Sequence, residues 1–393
     1  MSNIRNISEL VEPTHDEHQR QKFISNLRRK ILVDFANDMR VVYEKKVAPK
    51  VERRTGRKPK SGRDIRRAML HEPIFEAWSS LRYNAQFMTW WSVQPAVERV
   101  VPAINQVARD AREANPAGGS LELDARLKLP QYVTQLDVHQ MPGCFQTEFT
   151  KDDASQGAVY HKGSQVFFGG FGPSITSDIA RSIAHFVKLR NPKFKPKRIL
   201  DIGCTAGANT APYLEVFPDA EVHGIDVGAP MLRYGHALAE ATGKPIHFHQ
   251  QDAEHPKFPD GHFDLITSSF FFHEVSVPAT HRILKGCYRM LKPGGLMIHM
   301  ELPPASHATE YQNFYYDWDA FYNNEPHYEA FRNLDFIKTL TKAGFKKNKL
   351  HFEKIPNWSY TPRAEFEAVA KATDKKERFH GHGRAWFTFG GWK

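Results

Sequence analysis

The stretch Arg198-Ile199-Leu200-Asp201-Ile202-Gly203-Cys204-Thr205-Ala206-Gly207-Ala208-Asn209-Thr210 constrains this chain most. A short apolar strand enters a glycine turn and leaves it as a helix. Gly203 and Gly207 reach backbone angles closed to other residues, so a ligand can lie against the main chain while the helix start presents unpaired N–H groups. The downstream segments keep an alternating order, with Val222-His223-Gly224-Ile225-Asp226, Gln251-Asp252-Ala253, Phe263-Asp264-Leu265-Ile266 and Leu291-Lys292-Pro293-Gly294-Gly295. Strands are expected at about 198–203, 221–226, 246–250, 263–269 and 295–301, with helices near 177–190, 208–216, 229–241, 279–291 and 328–343. Such alternation is that of a doubly wound parallel α/β sheet. Phe345 to Lys354 and Ala385 to Gly390 read as a closing pair of strands. Residues 357–382 are then an insertion between them, an exposed loop or short helix whose His380 and His382 are surface residues.

These successive motifs resemble those of the class I S-adenosylmethionine-dependent methyltransferases of small-molecule type, over roughly residues 175–393. The resemblance implies a Rossmann-like, seven-stranded sheet, with S-adenosylmethionine as methyl donor and S-adenosylhomocysteine as product. It implies that Asp201, Gly203, Thr205 and Gly207 line the methionine end of the cofactor. Asp226 with Val227 takes the ribose hydroxyls, Asp252 and Ala253 lie at the adenine, and Ser268 belongs to the same set. Asp226 stands 19 residues beyond Gly207, a separation shared with dinucleotide sites, so a nicotinamide enzyme is an alternative. Thr205 argues against it. That residue occupies the place of the second glycine in G-x-G-x-x-G, where its side chain crowds a pyrophosphate but is tolerable beside a cofactor without phosphate. It also departs from the glycine or serine usual in the methyltransferase loop.

A length of 393 residues suggests two or three domains. We divide the chain into a helical N-terminal region over 1–120, a strand hairpin and lid-like linker over 121–174, and the methyltransferase domain over 175–393. Residues 17–53 carry apolar side chains at helical spacing, and further helices are expected over about 65–93, broken near Pro73, and 95–113. Leu121 to Leu129 alternate with polar residues and pair with 132–139 in the expected hairpin. Phe75, Trp78, Tyr83, Phe87, Trp90 and Trp91 read as core, with a minority free to wall an active site. The N-terminal helices cover that site or join two copies of the chain.

Cys144, Cys204 and Cys287 are too few and too scattered for a disulfide framework or a metal pattern, and no metal is expected. No signal sequence or membrane span is legible, so the expectation is a cytoplasmic protein. Of the net charge of +10, nearly all lies between Arg40 and Arg67, which holds twelve Lys and Arg against three acids. A solvated face explains such a run; an RNA methyltransferase that uses it for binding is the alternative. A third alternative is a non-methylating cofactor-binding protein or cyclase on the same fold.

Chemistry in an open parallel sheet lies beyond the carboxyl ends of the strands. There Ser268-Ser269-Phe270-Phe271-Phe272-His273-Glu274 offers His273 as general base, because its ordinary pKa is near neutrality. His273 or Glu274 capping the next helix is the structural alternative. Glu301 is a second polar candidate. Tyr160, in a glycine-flanked loop continued by Phe168-Gly169-Gly170-Phe171-Gly172, is placed to close over the cofactor or to hydrogen-bond the acceptor. The ring-rich segment 308–328 fits a cover for a small aromatic or apolar acceptor.

Overall fold

The computed structural model describes residues 4–169, 175–372 and 385–393. The expected His380 and His382, and residues 170–172 of the expected lid, lie outside them. Helices dominate the first 114 residues because apolar side chains recur on one face between strong caps. Thr14 and Glu17 form a reciprocal capping box at the start of α1 (His15–Arg29). The path stays helical to Thr55, where Gly56 takes φ 74° and ends it. π-Helical turns at Lys30–Asp34 and Tyr43–Val47 widen that path. They let Ile31, Met39 and Val47, each eight residues apart, share one buried face. Helices α2 (Gly62–Met69) and α3 (Pro73–Trp91) come next, with the break at Pro73. Then α4 (Val101–Ala114) stops at Asn115 in the left-handed region.

The expected hairpin is absent. Ser120–Glu122 is a strand (β1), but it pairs in parallel with a strand far along the chain, Ser120 opposite His247. Residues Gln131–Thr134 and Val138–Gln140 are helical turns. Pro130 supplies the reason, since a residue without N–H cannot serve a ladder there and instead opens the short helix. The expected lid loop is likewise a helix, α5 (Ser155–Gly169). Its glycines serve packing: a Cβ on Gly157 would run into Tyr234, and one on Gly163 into the Trp90 ring.

Beyond α6 (Ile175–Arg190) lie β2 (Arg198–Ile202), β3 (Glu221–Asp226), α7 (Ala229–Ala241), β4 (Ile246–Gln250), β5 (Phe263–Ser269), α8 (Val277–Met290) and β6 (Leu291–Glu301). Next come α9 (Glu310–Phe321), β7 (Leu350–Pro356) and β8 (Ala385–Trp392). The sheet has eight strands in the order β1-β4-β3-β2-β5-β6-β8-β7, one more than the seven expected, because β1 extends the edge. All neighbours are parallel except β8, which runs antiparallel to β6 and β7. Two expected helices differ. The one after the glycine loop is only Pro212–Val216, and 328–343 divides into Tyr328–Arg332 and Phe336–Ala343 around the Asp335 cap.

The N-terminal helices are built onto this sheet rather than tethered to it. Ile24, Trp90 and Ile104 share one core with Met231, Tyr234 and Ala237 of α7. In another core Trp78 of α3 stacks on Trp318 of α9, ring centroids 3.5 Å apart. Of the six α3 aromatics, Phe75, Trp78 and Trp90 are buried packing residues as expected, whereas Phe87 is half-buried and Tyr83 and Trp91 are exposed. Part of the basic run is also structural, with Arg63 on Glu329 at 2.7 Å and Arg66 over the Phe321 ring.

Candidate active site

The strand order turns at β2, which lies between β3 and β5, and a crevice opens beyond the carboxyl ends of these strands. A cavity of about 480 Å³ fills it. The strand ends contribute one wall, and α5, the turns around His139 and the ring-rich α9 contribute the other. Among the described residues no Lys or Arg lines it.

Three carboxylates enter the cavity from the ends of β2, β3 and β4. Asp201 is 2% exposed and accepts from the Thr210 hydroxyl at 2.6 Å. Burial, opposed by that bond and reinforced by the charge of Asp226, pushes its pKa up to about 7. Asp226 accepts the N–H groups of Thr205 (3.0 Å) and Gly228 (2.8 Å), one on each oxygen. Burial raises it as well, against those backbone bonds. Asp252 is raised by burial too, while it caps the Glu254 N–H at 2.9 Å. Three acids held this way suit a ligand that brings positive charge and hydroxyl donors.

The glycine loop behaves differently from a bare shelf for a ligand. Gly203 at φ 68° reaches the cavity, but a Cβ there would meet the ring of Phe271, so the close approach is to a side chain of this protein. Gly207 at φ 78° stands against Phe248, 2.9 Å from where its Cβ would be, and does not line the cavity. Thr205 is left-handed at φ 48°, and the Tyr160 hydroxyl reaches its side chain. Val227, Ala253 and Tyr160 all line the cavity, Tyr160 from α5. Ser268 does not line it: its hydroxyl is buried on His299 Nδ1 at 2.8 Å, and Ser269 takes its place at the wall.

His273 reaches the cavity, but neither ring nitrogen is free. Nδ1 meets Glu301 Oε2 at 2.7 Å and Nε2 faces Glu274 Oε1 at 3.5 Å. Burial alone would lower its pKa; the Glu301 and Glu274 carboxylates instead hold it well above the ordinary histidine value. Glu301 lies behind the wall and also accepts the Phe272 N–H at 2.6 Å. Beyond Glu274 the contacts continue to His139 Nε2 at 3.0 Å, and from His139 Nδ1 to Glu325 Oε1 at 3.0 Å. Burial would depress His139, yet Glu274 and then Glu325 push it up to about 10. Sequence reasoning missed His139 and Glu325. They lie 186 residues apart in turns without a motif, and neither carries a signal in the sequence; in the structure His139, Gln140 and Asn324 are left-handed at φ 56°, 55° and 55°.

Residues 199–295 match a family model described as a methyltransferase domain. The chain carries a class I S-adenosylmethionine-dependent methyltransferase domain. Over 109 residues it is 39% identical to the demethylmenaquinone methyltransferase of Thermus thermophilus, covering 28% of this chain and 49% of that protein. Over 114 residues it is 35% identical to the ubiquinone/menaquinone biosynthesis C-methyltransferase of Pseudomonas paraeruginosa, covering 28% of this chain and 43% of the relative. The chain thus spans about half the length, or less, of these curated relatives. An O-methyltransferase family protein from Burkholderia thailandensis aligns over 63% of each chain, with 13% identity and a TM-score of 0.42. The matched part of the methyltransferase domain holds Asp201, Asp226, Asp252, His273 and Glu274. Tyr160, His139, Glu301 and Glu325 lie outside it.

Proposed function

We propose that this protein transfers a methyl group from S-adenosylmethionine to a small aromatic or apolar acceptor bound in the same cavity. The observation that carries this reading is the convergence of Asp201, Asp226 and Asp252 on one aromatic-walled cavity with no Lys or Arg among its described lining residues. S-adenosylmethionine, when bound, supplies an electrophilic methyl group on a sulfonium. Asp226 keeps lone pairs for two hydroxyls because its backbone bonds use one direction on each oxygen. Asp201 suits an ammonium, and Asp252 the adenine edge. Trp90, Phe167, Tyr315, Tyr316 and Tyr328 form the apolar side where a flat acceptor would stack. The names of the two curated relatives, both methyltransferases of quinone biosynthesis, support a ring acceptor.

In this reading alignment and exclusion of water carry most of the rate. His273, held between two carboxylates, orients Glu274 at the cavity wall rather than taking the acceptor's proton. Tyr160 braces the cofactor loop through Thr205. The test is incubation of the full chain with S-adenosylmethionine and a panel of quinols, phenols and aromatic amines, followed by mass spectrometry. A product heavier by one CH2, formed with S-adenosylhomocysteine in equal amount, is the expected result. Cofactor binding with no such product from any ring class would contradict it and favour a non-methylating protein on this fold.

A further inference from the structure

Five ionisable side chains, three buried and two (His139 and Glu274) partly buried, form one file beside the cavity: Glu301, His273, Glu274, His139 and Glu325, with successive contacts of 2.7, 3.5, 3.0 and 3.0 Å. With both imidazoles protonated the file still carries one negative charge more than positive. No lysine or arginine among the described lining residues offsets it. At the His139 end stands Asn323, 3% exposed, with its amide nitrogen 2.9 Å from His139 Nδ1 and also on Glu325 Oε1. Its Oδ1, on the other side of the amide, is shielded and has no partner among the described residues. A buried amide oxygen in that condition is costly, and no bond on its side fixes which end of the amide faces His139.

We propose that His139 Nδ1, Glu325 and the Asn323 amide oxygen hold a divalent transition-metal cation, with Glu274 fixing the imidazole through its Nε2–H. Ligand atoms offered by His139, Glu274 and Glu325 lie within 4.8 Å of one another. Nitrogen and oxygen donors at about 2.0–2.2 Å from a zinc ion sit roughly 3–3.5 Å apart. The 3.0 Å from His139 Nδ1 to Glu325 and the 2.9 Å to the Asn323 amide are close to such edges, and the shorter Asn323–Glu325 contact has to open for the ion to enter. The two ends of an amide have nearly the same shape, so exchanging them points Oδ1 at the cation and turns the NH2 to the place where Oδ1 now stands. Metal-bound histidine regularly gives its other N–H to a carboxylate, and Glu274 is in place to receive it. One imidazole with oxygen donors suits Zn²⁺ or Mn²⁺ better than Mg²⁺. Since Asn323 and Glu325 line the cavity, the remaining coordination positions face it and suit water or an oxygen of the acceptor.

The test is titration of Zn²⁺ into the chelator-treated 393-residue chain by calorimetry, without S-adenosylmethionine, so that its outcome is independent of the methyl-transfer reading. One ion per chain with a micromolar or tighter Kd is expected. Glu325→Gln should weaken it at least 100-fold and Glu274→Gln about 10–100-fold, while His255→Ala, on the surface, leaves it unchanged. A zinc-edge anomalous peak beside His139 in crystals of the parent gives the same answer without relying on the variants' folding. Absence of a stoichiometric site, equal binding by the parent and Glu325→Gln, or a peak on other histidines only, would overturn the proposal.

Discussion

At the scale of single residues, burial has set the protonation of the site. Asp201 shows the consequence most clearly. Its pKa of about 7 in the folded chain lies above the ordinary 3.8, so between those values the native state binds more protons than the unfolded chain, and stability falls as pH rises. Asp201→Asn removes that penalty while keeping an acceptor for Thr210. We expect the variant to melt higher than the parent at pH 8, with the difference closing near pH 4, and to lose affinity for S-adenosylmethionine. A lower melting temperature at pH 8 would contradict the burial argument. Parent affinity should weaken as pH falls below about 7, since a positively charged ligand prefers the ionised acid. His273 is the opposite case. Its imidazolium pairs Glu301 and Glu274, so His273→Ala should destabilise the fold by about 3–5 kcal/mol, the usual cost of removing one partner from a buried pair. The parent's rate profile should lack a limb near pH 6.5. Such a limb, lost in His273→Asn, would restore the general-base reading.

At the scale of elements, the sequence was legible wherever local pattern and tertiary pairing agreed. The strands from Arg198 to Ser269 and α7 appear close to where periodicity puts them, because each repeats a motif that one element satisfies alone. The misreadings share a cause. Leu121 and Leu123 alternate like a hairpin strand, yet the partner of this strand is β4, more than a hundred residues on, and no local signal specifies that. Gly157 and Gly163 look like loop hinges but are contact points of α5 with Tyr234 and Trp90. That Asp201, Asp226 and Asp252 would converge was legible because they stand at the ends of consecutive strands; the His139–Glu274–Glu325 group was not, because it exists only where turns from distant segments meet. The helix reading of Gly157 has a direct check. Gly157→Val must push α5 off α7, so thermal melting should show a loss of more than 1 kcal/mol, the usual range for overpacking being about 1–3 kcal/mol. A variant as stable as the parent would mean that α5 and α7 cross less tightly than this.

At the scale of the whole molecule, the N-terminal helices and the sheet enclose one cavity between them. The strand ends supply acids and the helical side supplies rings, so in the proposed function the donor and acceptor subsites come from different parts of the chain. None of the described helices is long and apolar enough to cross a membrane. The division has a consequence for binding: changes in α9 or at Trp90 should alter acceptor use, whereas changes at Asp201, Asp226 or Asp252 should alter the cofactor. The most direct test of the central claim is calorimetric titration of the full chain and of Asp226→Ala with S-adenosylhomocysteine. One site per chain in the parent, weakened tenfold or more in the variant, is the result expected from two hydroxyl bonds to a charged acceptor worth about 1.5–3 kcal/mol each. No binding by the folded parent, or affinities within twofold of each other, would contradict the account.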